Sequence, residues 1–527
     1  MTAEIIDCDA DLPEAEPEEE YQTLVRTLKR TNGFRLLFVE CSPAEGERLI
    51  AKVQADVPQK KIEVLPLDES VYNFYNIIKD LPERDAINIL FVKGLEYSLY
   101  EYEKEIKELG WESKDIYSYS WRGVPPVLIN LNQQRERFRD DFKICFVFIL
   151  PRFAVNYLIH LAPDFFDWRS SLLKLSIDKE LWQLESRQLC SSERWKREDY
   201  LALTPQERKR ELVRIQSLID EDGQTPEQQA ELFYEQGLLY GYTEEYVKAI
   251  DCYDKALELK PDYHAAWKNR GNALGNLRRW EEAIASFDKA LELKPDYHAV
   301  WKNRGIALGN LGRWEEAIAS FDKALEFQPD YHEAWNNRGI ALDDLGRWEE
   351  AIASYDKALK IKPDYHEAWN NRGIAMDDLG RWKEAIASYD KALKIKPNKH
   401  EAWYNRGYAL RNLGRWEDAI ASYDKALEIK PDLHVAWNNR GIALDDLGRW
   451  EEAIASYDKA LEIKPDDDAT FYNKACCYAL HSQIDQAVQN LQQAINLNPD
   501  KWREMAKTDS DFDSIRSHTR FQALIQE

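Results

Sequence analysis

Two kinds of polar side chain recur in this 527-residue chain at multiples of a 34-residue spacing. Adjacent carboxylates form pairs that attract the Lys and Arg side chains of a partner. Amides offer donors and an acceptor, so a row of them could hold an extended peptide backbone or stabilise turns and neighbouring structural units. The carboxylate pairs are Asp343–Asp344, Asp377–Asp378 and Asp445–Asp446, and the amides are Asn269, Asn303, Asn337, Asn371, Asn405, Asn439 and Asn473.

Histidines recur at the same spacing and could be mistaken for a row of metal ligands. Because successive copies belong to successive repeats, they would lie too far apart to share one tetrahedral ion. No Ser–His–Asp or Cys–His arrangement occurs with supporting context. The sequence therefore predicts no metal site, no catalytic residues and no cofactor. The histidines are His264, His298, His332, His366, His400 and His434.

The elements that carry these side chains are helix pairs. Tryptophans recur every 34 residues from Trp267 to Trp437, and a fixed period of this length is typical of stacked helix-pair repeats. In the unit that begins at His332, apolar or small residues first follow a helical spacing, Gly346 interrupts the pattern, and a second helix runs from Trp348 to Ile361. One such pair cannot bury its own apolar face, so neighbouring pairs must stack.

This unit resembles the tetratricopeptide repeat (TPR) family, and we count eight copies. The resemblance implies a right-handed α-solenoid that binds protein segments. One departure recurs, because Arg338 and its equivalents stand where the family usually has Leu. That Arg either extends its stem over the core or pairs with Asp or Glu of the adjacent repeat. The residues that carry the resemblance are Trp335, Gly339, Leu342, Ala351, Tyr355, Ala358 and Pro363.

The resemblance also implies that the first helix of each pair lines a concave groove. The groove is expected to be basic near its start, acidic in the middle, and interrupted by Arg411 and Tyr404. The residues expected in it are Lys268, Asn269, Asn272, Lys302, Asn303, Asn336, Asn337, Asp343, Asp344, Asn370, Asn371, Asp377, Asp378, Tyr404, Asn405, Arg411, Asn438, Asn439, Asp445 and Asp446.

Residues 21–178 have a different pattern, in which short apolar runs alternate with helical segments. Alternating strands and helices predict a parallel sheet in a three-layer α/β domain, and near-continuous apolar strands predict a sheet covered on both faces. The expected strands are 35–41, 61–67, 86–92, 144–150 and 171–175.

This order of elements resembles a P-loop NTPase core of the kind joined to repeats in bacterial signal-transducing ATPases. The resemblance rests on the runs 35–49, 87–96 and 146–169. A phosphate loop needs G-x-x-x-x-G-K-[ST], and of this motif only Gly46 is present. Glu47 replaces the Lys that neutralises phosphate, Arg48 replaces the hydroxyl that holds Mg²⁺, and Glu96 is the one residue that could stand in for the catalytic acid. We therefore predict a degenerate nucleotide site without hydrolysis, in a domain that either still binds nucleotide or is kept only for its contacts.

Composition narrows the class of partner. The net charge of −24 argues against nucleic acid and against an anionic membrane surface, and it is compatible with basic protein segments. The seven cysteines show no CxxC spacing, which favours free thiols in a reducing cytoplasm. No apolar run approaches 18 residues, and the acidic N-terminus does not resemble a signal peptide.

These observations predict a cytoplasmic adaptor or scaffold without enzymatic activity. Two alternatives remain open: a nucleotide-binding regulatory switch, and a regulatory subunit of an effector on another chain. The predicted organisation is an acidic disordered tail (1–20), the α/β domain (21–178), a helical linker (179–230), eight repeats (231–499) and a C-terminal helical cap (500–527).

Overall fold

The computed structural model describes most of the chain, in two compact units that comprise residues 1–282 and 283–527. The predicted helix over residues 99–109 falls almost entirely outside the described residues, as do Cys8 and Cys190. The residues described are 17–41, 43–67, 70–99, 124–175, 197–219 and 224–526.

The first unit begins with a five-stranded parallel sheet in the order β2-β3-β4-β1-β5. The predicted fold class is confirmed, and the bounds of each strand differ from the predicted bounds by three residues at most. The strands are β1 (Arg35–Glu40), β2 (Ile62–Pro66), β3 (Ile89–Lys93), β4 (Cys145–Leu150) and β5 (Ser171–Lys174). The helices around the sheet are α1 (Pro17–Arg30), α2 (Pro43–Asp56), α3 (Phe74–Lys79), α4 (Pro126–Asp141), α5 (Arg152–Leu161) and α6 (Pro163–Phe166).

The sheet separates two apolar layers because successive side chains of a strand point to opposite faces. On one face, Phe38 of β1 and Phe148 of β4 stack at a centroid distance of 5.2 Å and pack with the helices α3 to α6. On the other face, Leu37 and Val147 pack against α1 and α2. The two layers explain why the strands are almost continuously apolar.

The helix α1 corrects the predicted extent of the acidic tail, which had included residues 17–20. The helix begins at Pro17, and its first turn contains Glu18, Glu19 and Glu20. Carboxylates are favourable at a helix N-terminus, where the backbone N–H groups create a positive potential. Burial of the apolar face that includes Leu24 and the later Leu28 then holds the helix on the sheet.

Among the described residues after the sheet, two helices precede the repeats, α7 (Arg197–Ala202) and α8 (Pro205–Ile219). Thr204 and Glu207 form a capping box at the start of α8: the Glu207 carboxylate accepts from the Thr204 backbone N–H at 2.8 Å, and the Thr204 hydroxyl accepts from the Glu207 N–H at 3.2 Å. Lys209 of α8 donates to the Ser70 hydroxyl at 2.9 Å, so this helix contacts the α/β domain. Tyr200 of α7 stacks on Tyr242 at 5.0 Å, so the linker also contacts the first repeat.

Eight helix pairs follow, numbered pair 1 to pair 8, and the boundary between the two units falls inside the second helix of pair 2. The first helices are Pro226–Tyr242, His264–Asn276, His298–Asn310, His332–Asp344, His366–Asp378, His400–Asn412, His434–Asp446 and Asp468–Leu480. The second helices are Tyr246–Leu259, Trp280–Leu293, Trp314–Phe327, Trp348–Ile361, Trp382–Ile395, Trp416–Ile429, Trp450–Ile463 and Ile484–Leu497.

Two glycines shape each central pair, as pair 4 illustrates. Gly346 ends the first helix with a φ of 71°, a left-handed conformation that favours glycine. Gly339 allows the two helices to approach closely, because a Cβ atom there would lie 2.5 Å from the ring of Tyr355. The role of Gly346 agrees with the break that it makes in the helical pattern of the sequence.

The recurring arginine joins neighbouring pairs. Arg338 of pair 4 donates from Nε to Asp322 at 2.7 Å and from Nη1 to Ser354 at 2.7 Å. Asp322 belongs to the second helix of pair 3, whereas Ser354 belongs to the second helix of pair 4. Of the two alternatives left open by the sequence, pairing with the adjacent repeat is confirmed. Equivalent Asp–Arg–Ser bridges within the second unit centre on Arg304, Arg372, Arg406 and Arg440.

The second unit ends in a helix at Pro499–Thr508, a 3₁₀ turn at Ser510–Ile515 and a helix at Thr519–Gln526. Trp502 stacks on Tyr472 of pair 8 at 4.4 Å and is 4% exposed. These elements cover the apolar face of the last pair. Among the helices that the structure describes, none combines the length and the apolar character needed to span a membrane.

Candidate functional site

The two central carboxylate pairs lie at the C-terminal ends of the first helices of pairs 4 and 5. Asp344 and Asp378 are exposed, whereas Asp343 and Asp377 are partly buried. Burial, reinforced by the charges of Asp378 and Asp344, raises the pKa of Asp343 to about 6. Asp343 of pair 4 thus interacts with Asp378 of pair 5. We call these four residues the acidic patch.

Asp377 is more strongly perturbed than Asp343. Burial raises its pKa to about 7; the hydrogen bond donated by the Tyr389 hydroxyl at 2.6 Å opposes this shift, and the charge of Asp378 adds to it. Asp343 Oδ1 and Asp377 Oδ1 have no hydrogen-bond partner among the residues that the structure describes. Each buried carboxyl group therefore has an oxygen that could accept a hydrogen bond from a ligand.

The asparagine ladder is engaged within the chain. Asn371 donates to Asn336 at 3.3 Å, and Asn439 donates to the Tyr404 hydroxyl at 2.8 Å. Each bond joins the first helices of consecutive pairs. Of the two interpretations that the sequence allowed, these contacts favour the stabilisation of neighbouring repeats. The same bond is made within one unit by Asn269 to Tyr234, Asn405 to Asn370 and Asn473 to Asn438.

Two of the expected groove residues are buried instead. Asn336 is 4% exposed and Asn370 is 8% exposed. Both accept hydrogen bonds from the ladder residue of the following pair, so they lie between adjacent helices. Their assignment to an open binding surface is therefore corrected.

The expected basic positions differ in their surroundings. Lys302 of pair 3 forms an ion pair with Glu333 of pair 4 at 3.2 Å, so its charge is balanced inside the chain. Arg411 of pair 6 donates to Asn439 at 3.3 Å and lies over the ring of Tyr408. Lys268, in the first unit, is partly buried on the first helix of pair 2. In the described part of the chain, by contrast, no cationic side chain lowers the pKa of the four carboxyl groups of the acidic patch.

The other predicted groove residues are accessible to different degrees. Asp446 of pair 7 is exposed, and burial raises its pKa. Asp445 lies 3.7 Å from His481 of pair 8. The remaining predicted positions are partly buried on their first helices: Asn272, Asn303, Asn337, Tyr404 and Asn438.

A cavity beside the acidic patch was not predicted from the sequence. It has a volume of about 490 Å³ and lies between the first helices of pairs 3 and 4. Ile306 and Ile340 line it and are 38% and 37% exposed, and Trp314 and Phe321 contribute aromatic rings. We call it the apolar cavity. A comparison of repeats could have indicated it, because Gly309 stands where pairs 4, 5 and 7 have Asp.

A second cavity, of about 200 Å³, lies in the first unit at the carboxyl ends of β1 to β4. Ligands of open parallel sheets usually bind at this edge. Gly46, Glu47 and Glu96 line the cavity, together with Arg210 of α8. Arg48, the fourth residue of the predicted nucleotide site, is exposed and does not line it.

The segment that resembles a phosphate loop is helical here. The helix α2 begins at Pro43, three residues after β1 ends, so Gly46 lies in a helix and not in an open loop. A Cβ atom at Gly46 would lie 2.5 Å from the Ile149 side chain, and this close contact leaves little room for a ligand. Glu47 pairs with Lys93, so the anion predicted to face phosphate is held by a cation of β3.

Glu96 is the most perturbed group of this cavity. It is 4% exposed, and its Oε2 has no hydrogen-bond partner in the described part of the chain. Burial raises the pKa of Glu96 to about 7, although backbone N–H groups and Lys93 favour the charged form. A carboxyl group with this pKa changes charge near neutral pH.

One group of side chains has the atom types of a metal site. Cys476, Asp509 and Asp511 place a thiol and two carboxylates within 4.8 Å of one another. Asp509 already accepts hydrogen bonds from the Tyr472 hydroxyl at 2.7 Å and from the Asp511 N–H at 3.1 Å. The group therefore serves the contact between pair 8 and the C-terminal turn.

Comparison with solved structures found short TPR proteins. The crystal structure of YrrB, described as a TPR protein with an unusual peptide-binding site, is 26% identical over 35% of this chain and 94% of that chain, with a TM-score of 0.31. MamA is 25% identical over 33% of this chain and 94% of that chain, with a TM-score of 0.31. A TPR protein from Parabacteroides merdae is 19% identical over 46% of this chain and 97% of that chain, with a TM-score of 0.38. No curated protein matched the chain.

Three family models described as tetratricopeptide repeat match the helix pairs. One model matches residues 230–263, 264–297 and 434–467, a second matches 302–366, 362–400 and 370–434, and a third matches 456–489. The matched segments have the 34-residue period and the paired helices seen in the structure. Residues 230–297 and 302–489 are therefore tetratricopeptide repeats.

Proposed function

We propose that this chain is a protein-interaction scaffold that binds a basic protein segment on the first helices of pairs 4 and 5. The acidic patch is the observation that carries this proposal. Its four carboxyl groups lie close to one another and share little compensating charge. A Lys or Arg side chain placed among them would supply that charge and form charge-assisted hydrogen bonds.

The position of the patch supports a role in binding. Asp343 and Asp344 lie in the last turn of their helix, as do Asp377 and Asp378. The carbonyl groups at a helix C-terminus create a negative potential, so carboxylates are unfavourable there. Residues that weaken the fold at one place in two consecutive pairs are better explained by a ligand than by stability.

The raised pKa values predict how binding depends on pH. At pH 5, Asp343 and Asp377 are largely protonated and attract a cation weakly; well above pH 7 both are largely ionised. The other groups that face them are Asp344, Asp378, Tyr355 and Tyr389, and these tyrosines stay neutral because burial raises the pKa of each. The affinity for a basic segment is therefore expected to rise with pH between these limits and to fall with added salt.

The test uses the full chain and fluorescein-labelled Lys-rich and Glu-rich peptides of equal length, with fluorescence anisotropy as the readout. The variant combines Asp344→Lys with Asp378→Lys, both at exposed positions. The control combines Glu315→Lys with Glu349→Lys, which makes the same change in net charge at exposed positions of the second helices. We expect the variant to lose about tenfold or more in affinity for the Lys-rich peptide, and the control to lose much less.

Equal losses in the two double variants would show that the net charge of the chain, not the acidic patch, attracts the peptide. Equal binding of the Lys-rich and Glu-rich peptides would also contradict the proposal.

The nucleotide switch that the sequence left open receives less support. The cavity at the edge of the sheet has the paired Glu47 and the buried Glu96 near the place where phosphates would need cations and open backbone N–H groups. We infer that the α/β domain contributes a surface or a small-ligand site to the scaffold and does not bind nucleotide.

A further inference from the structure

The apolar cavity of pair 3 differs from the equivalent places in pairs 4, 5 and 7, which have Asp and Tyr where pairs 2 and 3 have Gly and Phe. In pair 5, Asp377 accepts a hydrogen bond from Tyr389, so a polar pair occupies the space between the two helices. In pair 3 the corresponding residues are Gly309 and Phe321, which provide neither the carboxylate nor the hydroxyl. The substitution of two residues thus replaces a polar pair with an open apolar space.

The walls of this space are suited to one large apolar side chain. Phe321 packs against Gly305, where a Cβ atom would lie 2.6 Å from its ring. A Cβ atom at Gly309 would lie 3.0 Å from the Trp314 ring, so the absence of a side chain exposes that ring to the cavity. Ile306 and Ile340 flank the opening and retain over a third of their exposure. A bound aliphatic or aromatic side chain would remove this apolar surface from water.

The acidic patch begins next to the cavity. Ile340 and Asp343 are separated by one turn of the first helix of pair 4, and Asp343 interacts with Asp378 of pair 5. The apolar cavity lies between pairs 3 and 4, and the centre of the patch lies between pairs 4 and 5. The two are therefore one repeat apart, and adjacent packed helices lie about 10 Å apart. An extended peptide spans that distance in about three residues, at about 3.3 Å per residue.

We propose that the apolar cavity and the acidic patch together recognise a single extended protein segment, in which a large apolar residue and a Lys or Arg lie about three positions apart. This inference rests on the proposed function and gives it a sequence motif. The apolar residue occupies the cavity beside Trp314, and the basic residue lies among the carboxylates of Asp343 and Asp378. The charge complementarity of the patch selects this occupant over a purely apolar one.

The test uses fluorescein-labelled peptides in which one Leu and one Lys are placed in a Gly–Ser sequence. The separation of Leu from Lys is varied in both orders, and a peptide in which Ser replaces Leu serves as the reference. We expect the affinity for the full chain to be highest at a separation of about three residues in one of the orders. Replacing Leu in that peptide should weaken binding about tenfold or more.

The matched variants fill the cavity. Gly309→Asn introduces a side chain of the size that pairs 4 and 5 carry as Asp, without changing the charge. The double variant Gly309→Asp with Phe321→Tyr rebuilds the polar pair of pair 5, an arrangement that these repeats already fold with. Both variants should lose about tenfold or more in affinity for the Leu-containing peptide, and Gly309→Asn, which adds no charge, should bind the Ser-containing reference as the wild type does.

The outcomes separate the two proposals. If Gly309→Asn leaves the affinity for the Leu peptide unchanged, or if the separation has no effect, the two-part motif is wrong. If Asp344→Lys with Asp378→Lys still weakens Lys-rich peptides in that case, the scaffold proposal stands without it. If none of the peptides binds to the wild type, both proposals fail.

Discussion

A single arginine per repeat carries much of the polar contact between successive pairs. Arg372 bonds Asp356 of pair 4 and Ser388 of pair 5, both at 2.7 Å, and its side chain is 18% exposed. Hydrogen bonds to a charged group contribute more to stability than neutral ones. Removal of the arginine leaves Asp356 and Ser388 without this partner. We expect Arg372→Ala to lower the free energy of unfolding by about 2 kcal/mol.

The matched control for this prediction lies in the same pair. Arg381 makes a comparable bond to Glu384, but it is an exposed contact at the N-terminus of a single helix. Such surface ion pairs contribute little to stability. In urea denaturation of the full chain, Arg381→Ala should leave the midpoint close to that of the wild type. Equal shifts of the urea midpoint for Arg372→Ala and Arg381→Ala would show that the bridge between pairs contributes no more to stability than a surface ion pair.

Glu96 is expected to make stability depend on pH. Because its folded pKa of about 7 lies above the ordinary value of 4.5, the folded chain binds a proton more tightly than the unfolded chain. Its contribution is complete below pH 4.5, declines as the pH rises through this window, and is lost above pH 7.

Glu96→Gln removes this titration and keeps the shape of the side chain. We expect the variant to exceed the wild type in stability by about 3 kcal/mol at alkaline pH, and the difference to shrink as the pH falls toward 5. Thermal unfolding of both proteins over that pH range provides the measurement. A difference that does not change with pH would show that Glu96 titrates normally.

At the scale of elements, the C-terminal helices cover a face that the last pair cannot cover itself. Trp502, Phe512 and Phe521 are buried in the same cluster as Leu491 of pair 8. A chain that ends at residue 498 would expose this apolar surface, and exposed repeat interfaces promote association. We expect the truncated chain to form oligomers or aggregates, as measured by size-exclusion chromatography with light scattering. A truncated chain that elutes with the mass of a single protomer would contradict this role.

Most elements could be predicted from the sequence because each has a local signal. The strands β1, β3 and β4 are apolar runs, and the helix pairs have turn glycines such as Gly346 at a fixed period. The start of α1 was predicted too late because charge was given more weight than the apolar face that α1 buries. The helical pattern from Pro43 to Val57 predicted α2, but the close packing of Gly46 on Ile149 has no signal in the sequence.

The candidate site was less predictable than the fold. The positions of the acidic patch were predicted, but not the perturbed pKa values, which depend on burial and on the approach of Asp378 to Asp343. The burial of Asn336 was not predicted, because a helix position gives no indication of the hydrogen bond that it accepts from the next pair. Gly309 and Phe321 differ in the sequence from the equivalent residues of pairs 4, 5 and 7, but the size of the apolar cavity that they leave is apparent only in the structure.

For the molecule as a whole, the net charge of −24 acts in addition to the local patch. A strongly negative chain attracts basic partners over distances comparable with the screening length of the solution, which increases association rates. The patch and cavity then determine which of those partners remains bound. Added salt should therefore lower the association rate of a basic segment strongly. It should raise the dissociation rate less, because the apolar contact in the cavity does not depend on charge.

Because the bridges between successive pairs are identical, the number of repeats can change during evolution. The segment 346–359 of pair 4 is repeated without change at 448–461 of pair 7, and the Asp–Arg–Ser bridge is the same at the five junctions from pair 2 to pair 7. A gene that gains or loses 34 codons in phase within this stretch still encodes a compatible junction. Such a change would alter how far apart two binding features lie without requiring a new interface, so recombination could adjust the length of the recognised motif in steps of one repeat.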